Sequence, residues 1–130
     1  MKIHAVKRYF VLLEQFSTNE ADYREMLHPG IEQTEYPNQL TDHVTVSNFE
    51  MLMKRLPSGR KLLKEQHFDV QRVYETEDAV ITEVVWTAVV AADAGPFKAG
   101  QPLKAYFSMT FDFRDGKIYR QRNYDCYERF

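Results

Sequence analysis

Near the carboxyl end of this 130-residue chain, Leu103, Ala105, Phe107, Met109, Phe111 and Phe113 recur at every second position. After Asp115-Gly116, Tyr119, Gln121, Asn123 and Asp125 follow at the same spacing. A period of two is that of a strand with one face on a core, and Asp-Gly is a hairpin turn. If the two strands pair with these sets side by side, amides and a carboxylate stand among apolar walls, the usual make-up of a small-molecule pocket. A carboxylate desolvated there keeps its proton to higher pH and is a stronger base, as the removal of a carbon-bound proton requires. Asp125 is therefore the first candidate for chemistry, against the plainer reading of a strand-end residue that orders nearby backbone.

The pairing has two solutions. A two-residue turn at Asp115-Gly116 sets Phe113 against Ile118 and puts Arg120 and Arg122 on the side of the Phe face. A turn with a glycine bulge over Arg114-Asp115-Gly116 shifts the register by one, and such a slip sends every side chain to the other face. The bulged form is preferred: it gathers Lys104, Ser108, Thr110, Asp112, Arg120 and Arg122 outside. It leaves Phe107, Met109 and Phe111 beside Tyr119, Gln121, Asn123 and Asp125.

Other chemistries find little support. His4, His28, His43 and His67 show no metal-ligand spacing, no glycine-rich phosphate loop is present, and neither metal nor cofactor is expected. Cys126, the only cysteine, has no neighbouring histidine to activate it. Arg60, Lys61 and Lys64 read as a solvated face. Seventeen basic against nineteen acidic residues give a net charge of −2, which offers no pull on nucleic acid or anionic membrane. A lone cysteine, an amino terminus broken by Lys7 and Arg8, and no apolar run of spanning length suggest a cytoplasmic protein.

The elements that must position these residues are legible in outline. Ile3, Val6, Phe10 and Leu13, widened by Ala5, Tyr9, Leu12 and Phe16, form the stripe of an amphipathic helix. Ser17 and Glu20 have capping-box spacing before a short helix through Tyr23, Met26 and Leu27 that ends at His28-Pro29-Gly30. Ile31 to Tyr36 reads as a strand, followed by a loop. Ser47 and Glu50 open a helix carrying Phe49, Leu52, Met53 and Leu56, which Pro57-Ser58-Gly59 should break. A strand from His67 with a bulge near Arg72 comes next. Then come a strand from Ala79 to Ala91, apolar enough to be buried on both faces, and the hairpin described above. One domain over residues 1–130 is expected, of α+β class, helices first and a four-strand meander after. Aromatics at 14% of the chain favour a large-volume interior or a lined cavity, with Trp86 in the cavity wall or packed in the core with its N–H satisfied.

Three strings carry a resemblance: Glu35-Tyr36-Pro37-Asn38, Glu83-Val84-Val85-Trp86-Thr87, and Phe113-Arg114-Asp115-Gly116-Lys117-Ile118 continuing through Arg122-Asn123-Tyr124-Asp125-Cys126. With the order of elements, they make the chain similar to the nuclear transport factor 2-like superfamily, in its SnoaL-like branch. The resemblance implies a cone-shaped fold, a strongly curved sheet around the amino-terminal helix with a pocket between them. It also implies an acid/base aspartate near the position of Asp125, although the offset from Tyr124 departs by one from the commoner Tyr-x-Asp form. Glu35 and Tyr36 would stand at the pocket mouth, Glu35 as a second acid/base and Tyr36, with Asn123, as donors to an enolate. His28 would lie near the pocket. A small hydrophobic carbonyl compound, polyketide-like or steroid-like, is the implied substrate; a ligand-binding module without catalysis is the alternative. A homodimer through the outer sheet face, using Ile118 and Tyr124, is also implied.

Overall fold

The computed structural model describes every residue from Met1 to Phe130. Helix α1 (Lys2–Glu14) and the short α2 (Glu20–Arg24) precede β1 (Leu27–Glu35) and β2 (Thr45–Asn48). Helix α3 (Phe49–Leu62) leads into β3 (Leu63–Glu75), β4 (Ala79–Val90), β5 (Pro102–Arg114) and β6 (Lys117–Tyr127). The strands make one six-stranded, curved and unclosed sheet in the order β2-β1-β6-β5-β4-β3. The last four form the antiparallel meander, while β1 lies parallel to β6 and makes the sheet mixed. No helix is long and apolar enough to cross a membrane.

The stripe of α1 becomes the floor of the core. Val6, Tyr9, Phe10 and Leu12 are buried, and Phe10 stacks on Phe68 of β3 at 4.9 Å and meets Phe111 of β5 edge-on at 6.0 Å. Polar ties fix the carboxyl end of the helix: the Glu14 carboxylate accepts from the Phe68 amide at 2.8 Å, and Gln66 donates to the Leu13 carbonyl at 2.9 Å.

Several local expectations change. Asn19 and Asn48, not Ser17 and Ser47, cap α2 and α3, each accepting from an amide two or three residues on. The second helix ends at Arg24, because Leu27 pairs with Ile118 and so already belongs to β1. Thr45–Asn48, expected as loop, is a short edge strand. Helix α3 runs through Pro57. An internal proline costs about 3 kcal/mol, and the buried Phe49 and Leu52, with Met53 and Leu56 packed behind them, outweigh it. Strand β4 is buried on one face only: Val80, Thr82, Val84, Trp86, Ala88 and Val90 alternate with partly exposed residues.

The final hairpin combines the two expected registers. Asp115 and Gly116, at φ 54° and 74°, form a two-residue turn that pairs Phe113 with Ile118. Both central residues of such a turn need positive φ, which Gly and Asp tolerate. The register then shifts between Phe113 and Asp112, with Tyr119 as the extra residue, so that Phe111, Met109 and Phe107 face Gln121, Asn123 and Asp125. Ile118, expected on the outer face, is fully buried because the bulge comes after it and not at the turn. Phe111 is likewise fully buried, so Phe111→Ala should cost about 3–5 kcal/mol. Urea unfolding would measure it; a loss below about 1 kcal/mol would mean that Phe111 does not anchor the core.

Candidate functional site

The concave face between α1, α3 and the sheet holds an open cavity of about 270 Å³. Its apolar part comes from Leu13, Leu52, Met53, Phe68, Phe107 and Met109, and its polar part from Tyr9, Gln33, Gln66, Gln121, Asn123 and Arg55. The amides arrive by strand periodicity. The parallel pairing sets Gln33 against Gln121 and Glu35 against Asn123, so alternate residues of β1 and β6 share the inner face. Gln33 donates to the Tyr9 hydroxyl at 3.4 Å, and Gln121 donates to the Asn123 Oδ1 at 2.9 Å. Burial pushes the Tyr9 hydroxyl up to about 12, against the opposing pull of Gln33 and Arg55.

Asp125 continues the series one step beyond Asn123, opposite Phe107. It lies next to the cavity lining, not within it. Its Oδ1 is buried without a hydrogen-bond partner. Loss of hydration, and secondly the negative charge of Glu35, push the Asp125 carboxyl up to about 7. Glu35 itself accepts from Asn38 Nδ2 at 3.1 Å. Tyr127, two residues beyond Asp125, packs edge-on against Trp86 and Phe107 at 6.0 Å each. Burial, then the charges of Asp125 and Glu35, raise its hydroxyl above the usual tyrosine range. The result is a proton-holding carboxyl, a second carboxylate and a phenol next to the residues that line the cavity.

The expected site residues divide into three groups. Phe107, Met109, Gln121 and Asn123 line the cavity, and Asp125 and Glu35 lie outside the lining, paired with Phe107 and Asn123. Trp86 and Phe111 lie behind the wall: Trp86 stacks on Phe107 at 5.5 Å and donates its indole N–H to Gln66 at 3.0 Å. The other three are elsewhere. Tyr36 follows Glu35 by one residue and so takes the outer face, where it stacks on Tyr124 at 4.7 Å. Tyr119, as the bulge residue, leaves the inner series and sits between the guanidinium groups of Arg114 and Arg120, at 3.9 and 3.8 Å. His28 packs edge-on against Tyr119, accepts from the Gly30 amide at 2.9 Å and lies 3.7 Å from Asp115. The structure thus gives Tyr36, Tyr119 and His28 no contact with the cavity.

Sequence reasoning missed Tyr9, Gln33, Arg55, Gln66 and Tyr127. The signal for Gln33 and Tyr127 was present: each is two residues from an identified carboxylate on the same strand. Arg55 had none, because its place depends on the unexpected strand β2. No group of three His, Cys, Asp or Glu side chains is arranged to hold a metal ion.

The raised Asp125 pKa fixes the sign of a pH effect. The folded state holds the proton more tightly than the unfolded chain, so folding loses stability as pH rises from about 4 to about 7 and no further. Asp125→Asn removes that loss. Its stability relative to the natural chain should rise across this window by about 1–2 kcal/mol, the full shift being reduced by solvent screening. Denaturation at pH 4 and pH 8 would measure it; an unchanged difference would mean that the carboxyl is not desolvated.

No family model matches the chain, and no curated relative matches it. Solved structures do. IdmH of Streptomyces antibioticus, a candidate polyketide cyclase, superposes with a TM-score of 0.79 at 14% identity, over 96% of this chain and 91% of its own. A candidate SnoaL-like polyketide cyclase from Jannaschia sp. CCS1 gives 0.73 at 19% identity, over 95% and 84%. An NTF2-like protein of unknown function from Burkholderia pseudomallei K96243 gives 0.70 at 8% identity, over 95% and 88%. The helices inside a curved six-stranded sheet therefore constitute the nuclear transport factor 2-like fold, in the form shared with SnoaL-like proteins.

Proposed function

We propose that the protein binds a small hydrophobic carbonyl compound in the concave cavity and moves a proton next to its carbonyl without a cofactor. The observation that carries this reading is Asp125: inward, half-buried, one oxygen without a partner, and with a carboxyl pKa of about 7. Near neutral pH such a group is divided between base and acid, as a proton shuttle needs. Asp125 takes the proton from carbon, the C–H electron pair passes into the enolate, and the same carboxyl returns the proton to a new position. Asn123 Nδ2, which donates to no protein group, is the donor for the enolate oxygen. Glu35 acts through Asp125, its charge keeping the proton on the neighbouring carboxyl after transfer.

The test uses 2-tetralone, a bicyclic ketone with acidic α-protons, in deuterated water. The protein should accelerate hydrogen–deuterium exchange beside the carbonyl, as followed by NMR, and Asp125→Asn should slow it by about 100-fold or more. Equal rates for both proteins, or no acceleration over buffer, would leave a non-catalytic binding module. That second reading has one observation in its favour, the place of Asp125 just outside the cavity lining.

The same reading includes a homodimer through the outer sheet face and, from one exposed cysteine, a reducing cytoplasmic setting. Tyr124 and Tyr106, 47% and 45% exposed, stand there with Tyr36, an aromatic patch more readily explained as a contact than as bare surface. Light scattering should give twice the chain mass of 15.4 kDa, and Tyr124→Lys should shift it toward the single-chain value; a single-chain mass for the natural protein would remove the dimer.

A further inference from the structure

At the α3 side of the cavity stands Arg55, the only charged residue among the 17 that line it. Its Nη2 donates to the hydroxyl of Ser47, a residue only 2% exposed, and its Nε to the Met51 carbonyl at 3.4 Å. It takes part in none of the ion pairs of the molecule. A guanidinium has five N–H donors in a rigid fork. Here two are used on neutral oxygens that fix its direction, and no carboxylate balances the charge. Arg55 is itself exposed, and the donors that these bonds leave free are open to an anion at the cavity edge.

A second observation concerns the sheet, two strands from Ser47. Gln121, 1% exposed, spends its amide N–H on Asn123, and its Oε1 is buried with no hydrogen-bond partner. A buried acceptor left unsatisfied is costly, and it rewards whatever brings a donor to it. Across the sheet Gln33 pairs with both Ser47 and Gln121, so Arg55 and Gln121 border one cavity, whose apolar lining includes the rings of Phe68 and Phe107 and the side chains of Met53 and Leu56.

We propose that the cavity is built for a hydroxylated apolar acid, whose carboxylate, or an equally acidic group, is taken by Arg55 and whose hydroxyl donates to Gln121 Oε1. The inference rests on the cavity being the ligand site, but not on Asp125 acting as a base. It assigns the two ends of the ligand: an anionic end at α3, and a hydroxylated ring at the sheet. A neutral ester of the same skeleton would leave the guanidinium without its counter-charge. A skeleton without the hydroxyl would leave the buried Gln121 oxygen without a donor.

Calorimetric titration of the full chain with 6-hydroxy-2-naphthoate, its methyl ester, and 2-naphthoate tests both ends. The hydroxy acid should bind about tenfold more tightly than its ester at low salt, and this margin should narrow as salt is raised. It should also bind about fivefold more tightly than 2-naphthoate. Arg55→Gln, on an exposed part of α3, should abolish the acid–ester margin and keep the hydroxyl margin; Gln121→Met should do the reverse. The comparison of the three probes on the natural chain needs no variant and so does not depend on Gln121→Met folding. Equal binding of acid and ester, an acid preference that survives Arg55→Gln, or no binding of any probe at millimolar concentration would overturn the proposal. Asp125→Asn should leave both margins intact. Loss of proton exchange in that variant with no acid preference would sink the anion receptor alone, and an acid preference without any effect on exchange would sink only the catalytic reading.

Discussion

The site depends on one extra residue. Tyr119 occupies a bulge in β6, and every inward side chain that follows it owes its direction to that insertion. A tight Asp115-Gly116 turn, taken alone, would carry Gln121, Asn123 and Asp125 to the outer surface and bring Arg120 and Arg122 into the core. Five interactions hold the bulge. The Tyr119 ring lies between two guanidinium groups, its hydroxyl accepts from Arg120, and Arg120 also donates to the carbonyls of Gly30 and Tyr119. On the next outer position Arg122 closes an ion pair with Asp112 across the hairpin. The charged exterior and the uncharged amides of the interior are therefore two results of one register.

Inside that register, hydration is the quantity that differs along β6. Gln121 and Asn123 are neutral and satisfy part of their hydrogen bonding with each other. Asp125 is the first group in the series for which burial changes protonation, because an ion loses far more on leaving water than an amide does. Glu35, brought alongside by the parallel pairing of β1 and β6, makes a second ionisation there still less favourable. Packing supplies the compensating stability: Phe10, Phe68, Phe107, Trp86 and Tyr127 form a continuous chain of ring contacts around the polar strip. Polar groups that a plain core would exclude are tolerated because the apolar frame is large.

Much of this was legible in the sequence, for definable reasons. The helix stripe from Ile3 to Leu13 and the alternation from Leu103 to Phe113 follow periods that local physics enforces, and both appear as read. The inward direction of Gln121, Asn123 and Asp125 follows from grouping the charged residues outside. The route to that register differs from the expected one: turn and bulge are separate features, which is why Ile118 is core and Tyr119 is not a wall residue. The resemblance placed Glu35 and Tyr36 together at the pocket mouth, although adjacent residues of a strand face opposite ways. Strand β2 and the continuation of α3 through Pro57 were not legible, since both depend on tertiary contacts that outweigh local preference. Arg55 became visible only with them.

The parallel pairing of β1 with β6 has a consequence in time. The meander from β3 to β6 joins neighbours through two tight turns and one loop between Val90 and Pro102, and such contacts form early because little chain entropy is lost in closing them. Glu35 meets Asn123 only after the ends of a loop of some ninety residues have been brought together. Until β1 docks, Asp125 has no carboxylate neighbour and the Gly30 carbonyl has not yet reached Arg120. The half-assembled sheet then exposes β6 as a free edge, a place where another chain can add a strand. The edge that is free until β1 docks is the one that becomes the wall of the site.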